Sequence, residues 1–159
     1  MIGGSQSRSL RDTWFGGHLP DDALARLEGL ARTASYPAGA EILREGDPTS
    51  DLGVITRGRV AVRLRVPERG PTTILTVEEG DIIGWSVLVP PNRATSSVVA
   101  LVPTDLLLID GAGLRAALDA DPVLAAAVYR SLLEALSNRL TGTRMQLLDL
   151  FSRPADEPW

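Results

Sequence analysis

The sequence predicts a mainly β fold with helices at both ends, and three observations carry that prediction. Between residues 33 and 109, short β-branched and leucine-rich runs alternate with turn dipeptides at roughly ten-residue spacing, the texture of a sandwich or barrel. Ahead of that region, apolar residues recur at helical spacing from Leu19 to Ala31. Behind it, capping signals open an uninterrupted stretch from Val123 to about Leu150, long enough for one extended helix. The chain length of 159 residues suits a single core.

In chain order, residues 1–17 are rich in Gly, Ser and Arg and carry a lone Trp14-Phe15 pair, which reads as a flexible N-terminal arm whose aromatics dock locally. The folded domain is expected over residues 18–150, with residues 151–159 as a tail. A short amphipathic helix starts near Asp21, whose carboxylate suits a helix start. Strands are expected over residues 41–44, 52–56, 60–66, 72–77, 95–101 and 105–109. Within Val60-Ala61-Val62-Arg63-Leu64-Arg65-Val66 the apolar residues fall on every second position, the period of a half-buried strand. Gly39, Gly46, Gly58 and Gly80 sit where strands reverse.

Asp110 caps a short helix, and Asp121-Pro122 then supplies an N-cap followed by proline at the first helical position. Along the long helix, Ala126, Tyr129, Leu133, Leu136, Leu140, Thr143, Leu147 and Leu150 step alternately by three and four, a coiled-coil seam. Leu124, Val128 and Leu132 suit packing on the β domain. Beyond Leu136 the seam outruns a small domain and predicts self-association into a homodimer.

Composition excludes several chemistries. With no cysteine there is no disulfide, thiol nucleophile or thiolate metal site. One histidine, His18, in a Gly-Gly-His-Leu-Pro loop, cannot build a multi-histidine metal centre, and no serine elbow accompanies it. All 16 basic residues are arginine, which rules out lysine Schiff bases, and 20 acids give a net charge of −4, unfavourable for generic nucleic-acid binding. No apolar run reaches a membrane span, and no export signal opens the chain, so a cytoplasmic protein with no membrane contact is expected.

Four pieces in order, Tyr36-Pro37-Ala38-Gly39-Ala40-Glu41-Ile42-Leu43-Arg44-Glu45-Gly46-Asp47, Leu52-Gly53-Val54-Ile55-Thr56-Arg57-Gly58-Arg59-Val60, Val77-Glu78-Glu79-Gly80-Asp81-Ile82-Ile83-Gly84 and residues 94–101, resemble the cyclic-nucleotide-binding domain family. The resemblance covers residues 31–150 and implies a β jelly-roll (double-stranded β-helix) barrel with an N-terminal helix and a long C-terminal dimerisation helix. It also implies a phosphate-binding cassette over residues 84–97. In that cassette a short helix presents its amides to an anion and an arginine completes the charge, a sound pairing of donors and fixed cation. The candidate ligand-binding residues are therefore Gly84, Trp85, Ser86, Arg93, Ser96 and Ser97. In the family a polar residue of the long helix touches the base, and Thr143 or Asn138 would be its counterpart here.

Two departures stand out. Trp85 occupies the position of the family's acidic residue and offers one N–H donor where a carboxylate would accept from a ribose hydroxyl. Arg93 arrives early after Gly84, behind Pro90-Pro91. The resemblance implies a non-catalytic sensor that needs no cofactor, takes a nucleotide or another small anionic ligand, and signals through the dimeric helix to a partner protein. With only nine residues after Leu150, no direct DNA binding is expected from this chain. The alternative is a degenerate domain whose pocket is filled by Trp85 and which serves dimerisation or protein docking.

Overall fold

The computed structural model describes residues 9–152, with side chains as far as Asp149. Two short helices, α1 (Trp14–Gly17) and α2 (Asp21–Gly29), precede eight strands: β1 (Ala31–Tyr36), β2 (Glu41–Leu43), β3 (Asp51–Arg57), β4 (Arg59–Val66), β5 (Gly70–Glu78), β6 (Ile82–Ile83), β7 (Ser97–Ala100) and β8 (Thr104–Asp110). Helices α3 (Gly111–Ala120) and α4 (Pro122–Ser152) follow. Single 3-10 turns lie at Leu10–Asp12 and Trp85–Leu88.

The strands form two four-stranded sheets, ordered β1-β8-β3-β6 and β2-β7-β4-β5, with every pairing antiparallel. This is the jelly-roll arrangement. Between the sheets lie Ile55, Val60, Val62, Val77, Ile83, Val98, Leu106 and Leu108. A second apolar cluster joins Leu52, Val54, Ile82 and Ile109, on the other face of the first sheet, to Leu24, Leu27, Leu114, Leu118, Val128 and Leu132 of the helices. Strands β3 and β8 are thus apolar on both faces, which is why they read as runs. Strand β4 alternates because only one of its faces enters the inter-sheet core. Its period weakens toward the end, where Leu64 and Val66 are only half-buried.

The segment expected to be a flexible arm is, over residues 10–17, part of the fold. Leu10 and Phe15 are fully buried in the helical cluster. Thr13 Oγ1 donates to the Leu10 carbonyl at 2.6 Å and accepts from Gly16 N at 3.0 Å, so one side chain closes both turns. Phe15 N donates to the Gly80 carbonyl at 3.2 Å, fastening the segment to the β5–β6 turn. The apolar payload of Phe15 outweighs the glycine-rich composition around it. Residues 1–8 of that arm and residues 153–159 of the expected tail lie outside the described residues.

Both helix starts follow the capping rules read from the sequence. Asp110 accepts from Gly113 N at 2.7 Å, and Asp121 Oδ1 accepts from Val123 N and Leu124 N at 3.0 and 3.1 Å. Along α4, Leu124, Val128, Leu132 and Ala135 are buried against the domain. Of the seam residues, Tyr129, Leu133, Leu140 and Leu147 are 49%, 69%, 52% and 50% exposed. Ala126 is exposed, and Leu136 and Thr143 are half-buried. The side chain of Leu150 lies outside the described residues.

Candidate functional site

The sequence Ile82-Ile83-Gly84-Trp85 ends a two-residue strand and turns at once into a single helical turn. Gly84 makes the turn with φ 72° and ψ 21°, the left-handed region, as the N-cap of that turn. A Cβ on Gly84 would stand 2.6 Å from the Asp51 carbonyl oxygen. Glycine therefore meets both a conformational and a steric demand.

The loop between β2 and β3 holds the rest of the cassette by backbone bonds. Gly46 N donates to the Ala94 carbonyl at 2.8 Å, Ala94 N to the Asp47 carbonyl at 2.9 Å, and Thr49 N to the Asn92 carbonyl at 2.8 Å. Asn92 sits at φ 60° and donates from Nδ2 to the carbonyls of Ser86 and Val87. Arg115 of α3 also donates to the Val87 carbonyl, at 2.7 Å, tying the helical turn to α3.

Gly84 and Ser97, two of the candidate ligand residues, line different depressions. Gly84 lines a cavity of about 240 Å³ at the barrel mouth, together with Tyr36, Ile42, Leu43, Gly53 and Leu108. Trp85 is half-buried and packs against the helical cluster, and it is not among the residues lining that cavity. Ser86 is buried. The Arg93 guanidinium is exposed and donates from Nη1 to the Gly46 carbonyl at 2.8 Å, so it braces the loop. Ser96 is half-buried. Ser97 Oγ accepts from Glu45 N at 3.0 Å and borders a separate depression of about 450 Å³ with Arg44, Arg63 and Arg65.

The polar wall of the mouth cavity is made by residues that the sequence reading did not single out. Arg32 donates through both terminal nitrogens to the two carboxylate oxygens of Asp51, at 2.7 and 3.0 Å, and Ser50 Oγ adds a bond of 2.8 Å. The hydrogen bond from Arg32 is the chief cause holding the Asp51 carboxyl below its ordinary range, against the opposing effect of burial. A carboxylate with a lowered folded-state value stabilises the fold above the unfolded range and loses that contribution as pH falls through its lowered value. The stability gap between the parent and Asp51→Asn should therefore be widest near neutral pH and narrow on acidification below the carboxylate range. Urea titrations at a series of pH values check this; a gap that stays constant would reject the ion pair as its cause.

A larger cleft of about 610 Å³ separates β5 from the lower half of α4. Ile74, Leu75, Thr73, Thr76, Thr143, Gln146 and Leu147 are among its lining residues. Of the two helix candidates for a base contact, Thr143 borders this cleft, and its hydroxyl donates to the Arg139 carbonyl at 2.9 Å. Asn138 is exposed and does not line it.

Two buried side-chain polar atoms lack a hydrogen-bond partner among the described residues, Thr49 Oγ1 and Arg139 Nε. Thr49 Cγ2 lies 3.6 Å from where a Cβ on Gly84 would stand. Arg139 pairs with Asp81 at 3.3 Å, three residues ahead of Gly84. Thr49 thus stands beside Gly84, and Arg139 contacts the short strand that leads into it. No group of three or more metal-ligating side chains occurs among the described residues, and no helix there is long and apolar enough to cross a membrane.

Comparison with known proteins agrees with this architecture. The family model for the cyclic nucleotide-binding domain matches residues 33–121. The chain is 26% identical over 128 residues to a CRP-like cAMP-activated global transcriptional regulator of Mycobacterium tuberculosis, covering 80% of this chain and 55% of the regulator. It is 27% identical over 88 residues to cGMP-dependent protein kinase isozyme 1 of Drosophila melanogaster, covering 54% of this chain and 12% of the kinase. The chain thus spans about half of the one relative and a small part of the other. Among solved structures, a cyclic nucleotide-binding domain from Methylobacillus flagellatus superposes with a TM-score of 0.76 at 27% identity, covering 86% of this chain and 76% of that one. The N-terminal domain of a transcriptional regulator from Streptomyces coelicolor gives 0.67 at 26% identity, covering 83% and 94%. With its two sheets, its glycine-capped turn at the barrel mouth and its long final helix, this chain belongs to the cyclic nucleotide-binding domain family.

Proposed function

We propose that this chain is a non-catalytic regulatory domain that binds a nucleotide or another small anionic ligand at the barrel mouth and signals through a dimeric α4 to a partner protein. The observation that carries the reading is the placement of Trp85. Its ring packs against the helical cluster, and the cavity beside Gly84 is lined without it. That placement favours a usable site over a pocket filled by tryptophan. The anionic part of the ligand would meet the turn that begins at Gly84, with Arg93 leaving the Gly46 carbonyl to join it.

The experiment is a thermal unfolding panel with cyclic AMP, cyclic GMP, cyclic dinucleotides and simple phosphates, run on the parent and on Arg93→Ala. A ligand at a hundred times its dissociation constant adds about 2.7 kcal/mol, a rise of roughly 5–10 °C for a chain this size. The expected result is such a rise with at least one compound and its loss in Arg93→Ala. A flat panel on ligand-free protein would reject the reading and favour a docking module.

Self-association rests on the exposed seam of α4, where Leu133 and Leu140 leave more than half of their surface uncovered. The double variant Leu133→Asp, Leu140→Asp should sediment as a monomer with the parent's far-ultraviolet circular dichroism. A variant that still sediments as a dimer would show that another surface mediates association.

A further inference from the structure

Between Leu136 and Leu148 the large apolar residues of α4 are exposed or half-buried, so hydrophobic burial does little to fix that stretch of the helix on its own barrel. A polar tie does reach back. The Arg139 side chain is only 14% exposed; it donates from Nη2 to the Ile82 carbonyl and stands 3.3 Å from Asp81 Oδ1. The same Asp81 oxygen accepts from Ile82 N at 2.7 Å, and Ile82 is two residues ahead of Gly84. We propose that Arg139 is the positioning residue through which the strand leading into the cassette holds the lower half of α4, so that breaking its contact with Asp81 releases that half-helix toward a second position. The inference rests on the sensor reading for its purpose but on this geometry alone for its existence.

The chemistry of the contact suits a latch better than a permanent staple. A guanidinium carries five N–H donors, and here Nε is buried with no acceptor. A buried cation left partly unsatisfied offsets much of what its ion pair contributes, so the closed arrangement is only modestly favoured. The cleft of about 610 Å³ between β5 and the helix provides room for movement without repacking a core. A segment with few buried apolar contacts among the described residues, a polar tie at its upper end and open space beside it is the kind of element that populates two positions.

Because the chain contains no cysteine, paired labels can be placed without background. Thr73→Cys on β5 and Gln146→Cys on α4 border the cleft from opposite sides, and spin labels there report its width by pulsed electron resonance. Diluted into excess unlabelled chain, so that at most one protomer of a pair carries labels, the otherwise unaltered protein should give one narrow distance distribution. Arg139→Gln and Asp81→Asn should each broaden and lengthen it, and Arg139→Lys, which keeps a cation for Asp81, should stay close to the parent. Amide exchange over residues 140–149 should rise at least about tenfold in Arg139→Gln while residues 124–135 keep their protection. An unchanged distribution in Arg139→Gln overturns the proposal, as does a loosening that spreads equally over residues 124–135, which would mark Arg139 as merely structural. A flat ligand panel would reject the sensor reading without altering these distances, so the two failures are distinguishable.

Discussion

Phe15→Ala should cost about 3–5 kcal/mol of unfolding free energy, a large fraction of what a domain of this size possesses. The ring is fully buried in the cluster that joins α2, α3, the upper part of α4 and the outer face of the first sheet. Removing it deletes the transfer free energy of an aromatic side chain and leaves a void that helices on several sides cannot close together. Trp14, its neighbour in sequence, is 38% exposed, so Trp14→Ala serves as the control and should cost far less. Urea unfolding of the two variants makes the comparison. If Phe15→Ala came within about 0.5 kcal/mol of the parent, residues 10–17 would be the dispensable arm that their composition suggests.

Gly84→Ala is the second large effect, with an expected loss of about 2–4 kcal/mol. The left-handed backbone accounts for about 1–2 kcal/mol of it. The remainder comes from a methyl group 2.6 Å from the Asp51 carbonyl, a contact that only a backbone shift in β3 or in the cassette can relieve. Gly39 has φ 86° and nothing within 4 Å of its absent Cβ, so Gly39→Ala isolates the conformational part and should cost about 1 kcal/mol. The difference between the two midpoints in urea measures the crowding at the cassette. Equal costs would mean that β3 yields freely, and that the approach of Gly84 to Asp51 is no constraint.

Much of the barrel is legible in the sequence because its strands obey a simple period and its reversals need glycine. Gly39, Gly46, Gly58 and Gly80 do adopt positive φ, at 86°, 87°, 101° and 87°. Strand β1 escapes such reading: Ala31-Arg32-Thr33-Ala34-Ser35-Tyr36 has no apolar alternation, because it is an edge strand bonded to β8 alone, with its polar side chains largely in water. Strand β6, with two residues, is too short to show any period. In the candidate site, Gly84 announces itself through its turn, but the direction of the Trp85 ring is decided by the helices that pack beside it. Arg32 and Asp51 are 19 residues apart and meet only because β1 and β3 both pair with β8. Arg139 is one of 16 arginines, and nothing in its local sequence separates it from those that face solvent.

The division of α4 into a clamped upper part and a projecting lower part makes it a lever. From Arg139 to Ser152 the helix runs about 20 Å at 1.5 Å per residue, so a tilt of about 10° pivoting near Ala135 sweeps its far end through roughly 4 Å. A displacement too small to disturb the barrel would thus reach the end of the helix magnified to the width of a side chain, enough in the proposed dimer to change which residues of the partner helix interdigitate with it.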